Sequence, residues 1–347
     1  MKSFYRHKAS WLMVFFGLVW LAGGQVSAAT LPGPVVDSAW LAENSDKVVL
    51  LDVRKDLKSF RKKAKGKGAP VNPCGPGGGK EGKKASVKGD GHIEGAVLVN
   101  FKKIFGKYQH DNGKTVKVML PEKGTFEKLM QDAGVNNDSL VVITGKGEKI
   151  PNLAFTTRLY WTLKYFGFDN AAILKGGTVQ WKLDGHKVKY GKSKRPAKGN
   201  FTASAERGEI RATREDVIAM TKGEGSAQLL DVRPKPFYLG LTYHRKWQAP
   251  ESRGHIPTAK NFPIGLLVDD GTVPAAALYS NQDIKKAAGL VGTDLGKPTV
   301  TSCHTGVSAS IAWFVLSEIL GNKDVRLYDG SMHEWSMAGE AVENPLQ

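Results

Sequence analysis

Pro298-Thr299-Val300-Thr301-Ser302-Cys303-His304-Thr305-Gly306-Val307-Ser308-Ala309-Ser310-Ile311-Ala312-Trp313-Phe314 decides how this chain is read. Thr299 to Ser302 alternate β-branched and small residues after a proline, which predicts a strand. Ala309, Ala312, Trp313, Leu316, Ile319 and Leu320 recur at helical spacing up to Gly321, a helix with a glycine C-cap. Cys303 therefore sits where a strand hands over to a helix. Backbone N–H groups of the loop and first helical turn have no intrahelical partner there, and the helix dipole favours negative charge. Such a place suits a nucleophilic thiol. The competing reading is a buried cysteine that packs as a small hydrophobe.

Working outward, the same plan occurs twice. Val48 to Arg54, an apolar run ending in Asp52-Val53-Arg54, returns as Ala227 to Arg233, ending in Asp231-Val232-Arg233. Gly91-His92-Ile93 returns as Gly254-His255-Ile256, and Leu140 to Gly145 with the helical run Ala154 to Phe166 returns as the cysteine stretch. Leu174-Lys175-Gly176-Gly177-Thr178-Val179-Gln180-Trp181 returns as Tyr328-Asp329-Gly330-Ser331-Met332-His333-Glu334-Trp335. Offsets between copies fall from 179 to 163, 158 and 154, so the first copy carries insertions. The largest, about sixteen residues, lies between Arg54 and Gly91, and its Gly, Pro and Lys content predicts an exposed loop over 58–90.

Short apolar strands alternating with amphipathic helices predict an α/β fold of two tandem domains. Each is expected to hold a mostly parallel sheet with helices on both faces, ligands binding at the carboxyl ends of the strands. The 347 residues suit two domains after a leader is removed. Residues 29–190 form the first domain and 208–347 the second, with a linker at 191–207 that overlaps the Lys-, Gly- and Pro-rich stretch Lys187 to Asn200. Thr213-Arg214-Glu215-Asp216 reads as the N-cap and acidic first turn of a helix.

Residues 1–28 read as a signal peptide. Lys2, Arg6 and Lys8 precede the apolar run Trp11 to Ala22, and small residues offer cleavage after Ala28 or Ala29. The expected destination is the periplasm or the exterior; an uncleaved anchor is disfavoured because the apolar run is short for a bilayer. Two cysteines, Cys74 and Cys303, do not make a disulfide scaffold. Cys74 reads as an incidental thiol, or alternatively as a resolving or intermolecular disulfide partner. The net charge of +17 is concentrated in Lys58 to Lys88 and Lys187 to Lys198. Outside the cytoplasm this basic balance points to an acidic envelope protein or an anionic membrane surface, and not to nucleic acid.

At Asp231-Val232-Arg233, Arg253-Gly254-His255-Ile256-Pro257, Cys303 to Ser308 and Tyr328 to Trp335, occurring in this order and largely duplicated, the chain resembles a tandem-domain rhodanese of the thiosulfate and 3-mercaptopyruvate sulfurtransferase family. The resemblance covers nearly all of the chain after the leader. It implies an active site in the second domain near the domain interface. It also implies a cycle in which Cys303 takes a sulfane sulfur as a persulfide and passes it to cyanide or a thiol, with no cofactor and no metal. The loop residues His304, Thr305, Gly306, Val307 and Ser308 would hold the anionic donor and the persulfide. The pair His304-Thr305 is neither the basic pair common with thiosulfate nor the small neutral pair common with mercaptopyruvate. A protonated His304 would favour a thiolate, a neutral one little. Ser308 stands where many relatives carry threonine; its hydroxyl either bonds the sulfur or donor, or caps the following helix. Arg233 and Arg253 are candidates for donor binding, although in the family the Asp-Val-Arg and Gly-His-Ile segments are largely architectural. His255 reads as a packing residue. The first copy carries Thr144 or Gly145 at the cysteine position and is expected to be catalytically silent. It would cover the cleft, with Lys146 to Asn152 nearby.

Two other functions are weighed. A cysteine phosphatase needs arginine six positions after the nucleophile, and Ala309 stands there. A rhodanese-derived sulfur or chalcogen carrier, docked through the basic stretches and without general turnover, is the alternative from another class.

Overall fold

Runs such as Val48–Arg54 and Thr299–Ser302 are buried on both faces because helices cover both faces of the sheets they build. In a computed structural model, which describes Met1, residues 30–62 and residues 87–347, they form the central strands of two five-stranded parallel sheets. The first sheet has the order Val35–Val36, Ala171–Leu174, Leu140–Thr144, Val48–Arg54, Val97–Asn100. The second runs Arg211–Ala212, Val325–Tyr328, Thr299–Ser302, Gln228–Asp231, Lys260–Asn261, which is the same order strand for strand. Register repeats as well: Asp52 pairs with Thr144, and Asp231 pairs with Ser302. The duplication read from sequence is thus a duplication of topology. The leader, Cys74 and the lysine- and glycine-rich part of the insertion lie outside the described residues.

Each copy fixes its strand ends by the same side-chain set. Arg54 makes a bidentate pair with Asp52 (2.7 and 2.8 Å) and bonds the Gly91 carbonyl at 2.7 Å. Arg233 likewise pairs with Asp231 and bonds the Gly254 carbonyl at 2.8 Å. His92 stacks on Phe60 and hydrogen-bonds its carbonyl; His255 does the same with Tyr238. His255 is therefore part of the architecture. Thr213 accepts the Asp216 N–H while the Asp216 carboxylate accepts the Thr213 N–H, a capping box at the helix Arg214–Thr221.

The two halves share a core. One hydrophobic cluster runs from Leu51 and Trp161 to Trp313 and Leu327. Its centre is the packing of helix Ile150–Tyr165 against Ala309–Phe314, where Thr157 and Ser310 hydroxyls meet at 2.7 Å. Ile150–Tyr165 is buried around most of its girth because it faces its own sheet on one side and the other domain on the other. The helix after the cysteine loop is α-helical only to Phe314 and continues as a π-turn over Val315–Ile319, with Gly321 left-handed just beyond.

Two hairpins cross the interface in opposite directions. Gly106–Gln109 with Thr115–Met119 reaches the second domain: the Leu120 N–H bonds Asp329 at 2.7 Å and the Lys117 N–H bonds His333 at 3.2 Å. Val268–Asp269 with Ala277–Leu278 reaches the first, where Asp270 accepts the Ile150 N–H at 2.9 Å and Ala276 donates to Gly147 at 2.8 Å. This differs from the sequence expectation. The segment 146–152 lies against the second domain's hairpin beside the first domain's own loop, and the first-domain hairpin that meets the cysteine domain is residues 106–119. Among the described residues no helix is long and apolar enough to cross a membrane.

Candidate active site

Cys303 follows the strand Thr299–Ser302 at its carboxyl end and is only 3% exposed. Its carbonyl accepts from Met332 N–H at 3.1 Å, and the His304 carbonyl accepts from His333 N–H at 2.8 Å. In the first domain Gly145 and Lys146 make the same bonds with Thr178 and Val179. Of the two sequence candidates, Gly145 is therefore the positional counterpart of Cys303, and Thr144 that of Ser302. A glycine there has no nucleophile.

The loop is cradled by a residue that sequence reading did not single out. Ser331 Oγ accepts N–H bonds from both Cys303 and Gly306, each 3.0 Å, and donates to the Tyr328 carbonyl at 2.9 Å. It does so from a left-handed backbone, φ 51°, which costs a non-glycine residue about 1–3 kcal/mol. The first domain has Gly177 at this position with φ 57°. The copy without the cysteine keeps the cheaper glycine; the cysteine copy keeps a strained serine that ties two loop amides. The Thr305 N–H lies 3.5 Å from Sγ, aimed to interact with negative charge on sulfur. Gly306 is left-handed at φ 70°, and a Cβ there would run into the Asp329 carbonyl and the Arg158 guanidinium.

Ser331→Gly should lose the cradle and relieve the strain together. Stability is then expected to stay within about 1 kcal/mol of the parent, while the rate of any reaction that builds negative charge on the Cys303 sulfur falls by roughly tenfold or more. Ser331→Ala keeps the strain and should be destabilised by about 1–3 kcal/mol. Thermal unfolding and single-turnover loading of the two variants check this.

The other sequence candidates divide. His304 is largely buried; burial first, then the Arg233 guanidinium and His244, lower its pKa to about 3. It is thus neutral near pH 7, and its Nε2 finds no hydrogen-bond partner among the described residues. Ser308 stands at the N-cap position of Ala309–Phe314, but its side chain makes no capping bond. Val307 packs half-buried against the shared core. Arg233 is locked to Asp231 and Gly254, yet its Nη1, buried, has no partner among the described residues. Arg253 is exposed and lies over the Tyr243 ring, 4.9 Å from its centroid. Arg158 is a second residue that sequence reading missed. From the first domain it pairs through Nη2 with Asp329 and reaches the Gly306 carbonyl with Nη1 at 3.4 Å.

His333, beside the loop, is also pushed down, to about 4, chiefly by burial. Both imidazoles are neutral when folded and ordinary when unfolded. The unfolded chain then binds more protons as pH falls through about 6.5, so stability present above that pH is lost progressively toward the folded values. Each depressed imidazole accounts for about 2 kcal/mol between pH 6.5 and pH 5, and His304→Gln is expected to flatten the acid side of a Tm-against-pH curve by one such share.

A buried thiol thus stands at the carboxyl end of a parallel sheet, with an N–H on its sulfur and a duplicate domain across the interface. The chain belongs to the rhodanese-like domain family, which matches residues 37–184 and again 213–338. It is 32% identical over 262 residues to a protein of Saccharopolyspora erythraea provisionally named a thiosulfate sulfurtransferase, covering 74% of this chain and 86% of that protein. It is 28% identical over 261 residues to the 3-mercaptopyruvate sulfurtransferase of Escherichia coli, covering 74% and 85%. A crystal structure of an Escherichia coli 3-mercaptopyruvate sulfotransferase superposes with TM-score 0.61 at 25% identity, covering 86% of this chain and 98% of that one.

Proposed function

We propose that this sulfurtransferase carries a sulfane sulfur as a persulfide on Cys303, taking it from thiosulfate or from 3-mercaptopyruvate and giving it to cyanide or a thiol. The observation that carries the reading is the Thr305 N–H aimed at a thiol held at the carboxyl end of the second sheet. In the first half-reaction the Cys303 thiolate attacks the outer sulfur of thiosulfate; the S–S bond breaks and sulfite leaves with the electron pair. With 3-mercaptopyruvate the C–S bond breaks instead, and the enolate takes up a proton to become pyruvate. In the second, cyanide or a thiolate attacks the terminal sulfur and the Cys303 thiolate is released. The Thr305 amide stabilises charge on sulfur at both stages, and the Ser331 tie keeps the loop from reorganising between them.

Thiosulfate is the donor argued first. The unpaired Nη1 of Arg233 supplies a buried cationic donor near His304, and exposed Lys235, Arg245, Lys246 and Arg253 lie in the chain segment leading from it. Neutral His304 adds no charge of its own, which leaves 3-mercaptopyruvate as a second donor. Steady-state transfer from each donor to cyanide tests this, together with the mass of the loaded protein. A gain of one sulfur on the peptide holding Cys303 and thiocyanate formation are the expected results. No loading by either donor in reduced, folded protein would overturn the reading in favour of the carrier. The basic-hydrophobic-small pattern of residues 1–28 supports export to the periplasm or exterior, and the N-terminal residue of protein recovered from culture tests it.

A further inference from the structure

A nucleophile that must meet two substrates is 3% exposed, and one chain segment packs on the two histidines beside it. Between helix Lys235–Tyr238 and the turn Pro250–Ser252, residues 239–248 bring His244 to 5.1 Å from the His304 ring and Trp247 to 5.1 Å from the His333 ring, beside Phe237 at 4.7 Å from His304. The segment's own backbone bonds stay local: Leu239 to Lys235, Gly240 to Phe237, Thr242 to Pro236, and Trp247 and Gln248 to His244. It is tied to the loop by side-chain contacts and not by a ladder of main-chain bonds, the construction expected of a part that opens at low cost. Under and within it three buried polar atoms, His304 Nε2, Arg233 Nη1 and Gln248 Oε1, have no partner among the described residues. Polar groups left dry are unfavourable, so the closed arrangement gives way where water or a polar substrate can reach them.

His333 is the residue on which three parts meet. Its main-chain N–H holds the His304 carbonyl at 2.8 Å, and its ring Nε2 accepts the Lys117 N–H of the first-domain hairpin at 3.2 Å. That acceptor role places the neutral ring's proton on Nδ1, while the ring itself lies 5.1 Å from that of Trp247. We infer that His333 is a positioning residue that latches residues 239–248 over Cys303, so that donor and acceptor reach the sulfur when this segment lifts. A phenylalanine would keep the ring packing on Trp247 and lose the acceptor that ties the ring to the Lys117 N–H.

The test is alkylation of Cys303 in the full chain carrying Cys74→Ser, by iodoacetamide and by a bulky maleimide, with and without His333→Phe. The maleimide rate is expected to rise by about tenfold in His333→Phe, the size of one lost hydrogen bond, and the iodoacetamide rate by less. An equal rise for both reagents would mean altered thiol reactivity and not access, and would overturn the latch. So would an unchanged maleimide rate in folded His333→Phe. Should that variant not fold, Trp247→Leu removes the ring that the segment lays against His333 and carries the same expectation and the same refutation. Alkylation requires no sulfur transfer, so the latch and the proposed reaction fail separately.

Discussion

Cys303→Ser is expected to abolish sulfur transfer from thiosulfate and from 3-mercaptopyruvate alike, by a thousandfold or more as an order of magnitude. A hydroxyl cannot form the persulfide, and the described residues offer no second thiol. Stability should change little, by about 1 kcal/mol, because serine is nearly isosteric and the Thr305 N–H that reaches sulfur can donate to its oxygen. Cys74→Ser is the control: it should retain transfer if the second cysteine is incidental. Steady-state thiocyanate formation and the intact mass after donor treatment measure both variants. Residual turnover in Cys303→Ser at more than about a tenth of the parent rate would move the nucleophile elsewhere and remove the reading of the loop.

Much of this was legible before any coordinates, for a physical reason. Parallel strands buried on both faces leave continuous β-branched runs, helices leave a 3.6-residue period, and a duplication writes each signal twice. Hence Val48–Arg54 and Gln228–Asp231, the cysteine at the end of Thr299–Ser302, and the N-cap at Thr213 were readable from local pattern. What was not readable depends on residues far apart in sequence. Arg158 meets Asp329 across 171 positions, and no local period encodes that. A signal did exist: an arginine inside the apolar run Ala154 to Phe166 must find a partner if buried. Ser331 was quoted within a motif, but its role depends on a left-handed backbone. Setting the copies side by side, Gly177 against Ser331, would have exposed it, since glycine in one copy marks a strained position in the other. The charge of His304 also lay beyond sequence, because it is decided by burial and by the nearness of Arg233.

Arg158→Met is expected to cost about 3–5 kcal/mol of stability and to slow loading of Cys303 more than it weakens donor binding. The guanidinium is fully buried, lies 4.7 Å from the Trp161 ring centroid and 5.2 Å from that of Phe105, and is paired with an Asp329 carboxylate that is itself 1% exposed. Removing the arginine leaves that carboxylate buried with the Leu120 N–H still on it but without its counter-charge. A Tm lower by about 4–7 °C follows from the entropy of unfolding of a chain this size. The same change frees the Gly306 carbonyl, which Arg158 Nη1 holds, and Gly306 is the residue whose amide shares Ser331 with Cys303. Donor affinity depends on other groups, so single-turnover loading should fall while the donor concentration for half-saturation stays near the parent value. Asp329→Asn alone should be costly as well, whereas Arg158→Met with Asp329→Asn should be less destabilising than the two separate losses added, since neither charge is then left alone. Thermal unfolding of the four members of this cycle measures the coupling. Additive losses would show that the first domain supports the cysteine loop by packing alone and not through this buried pair.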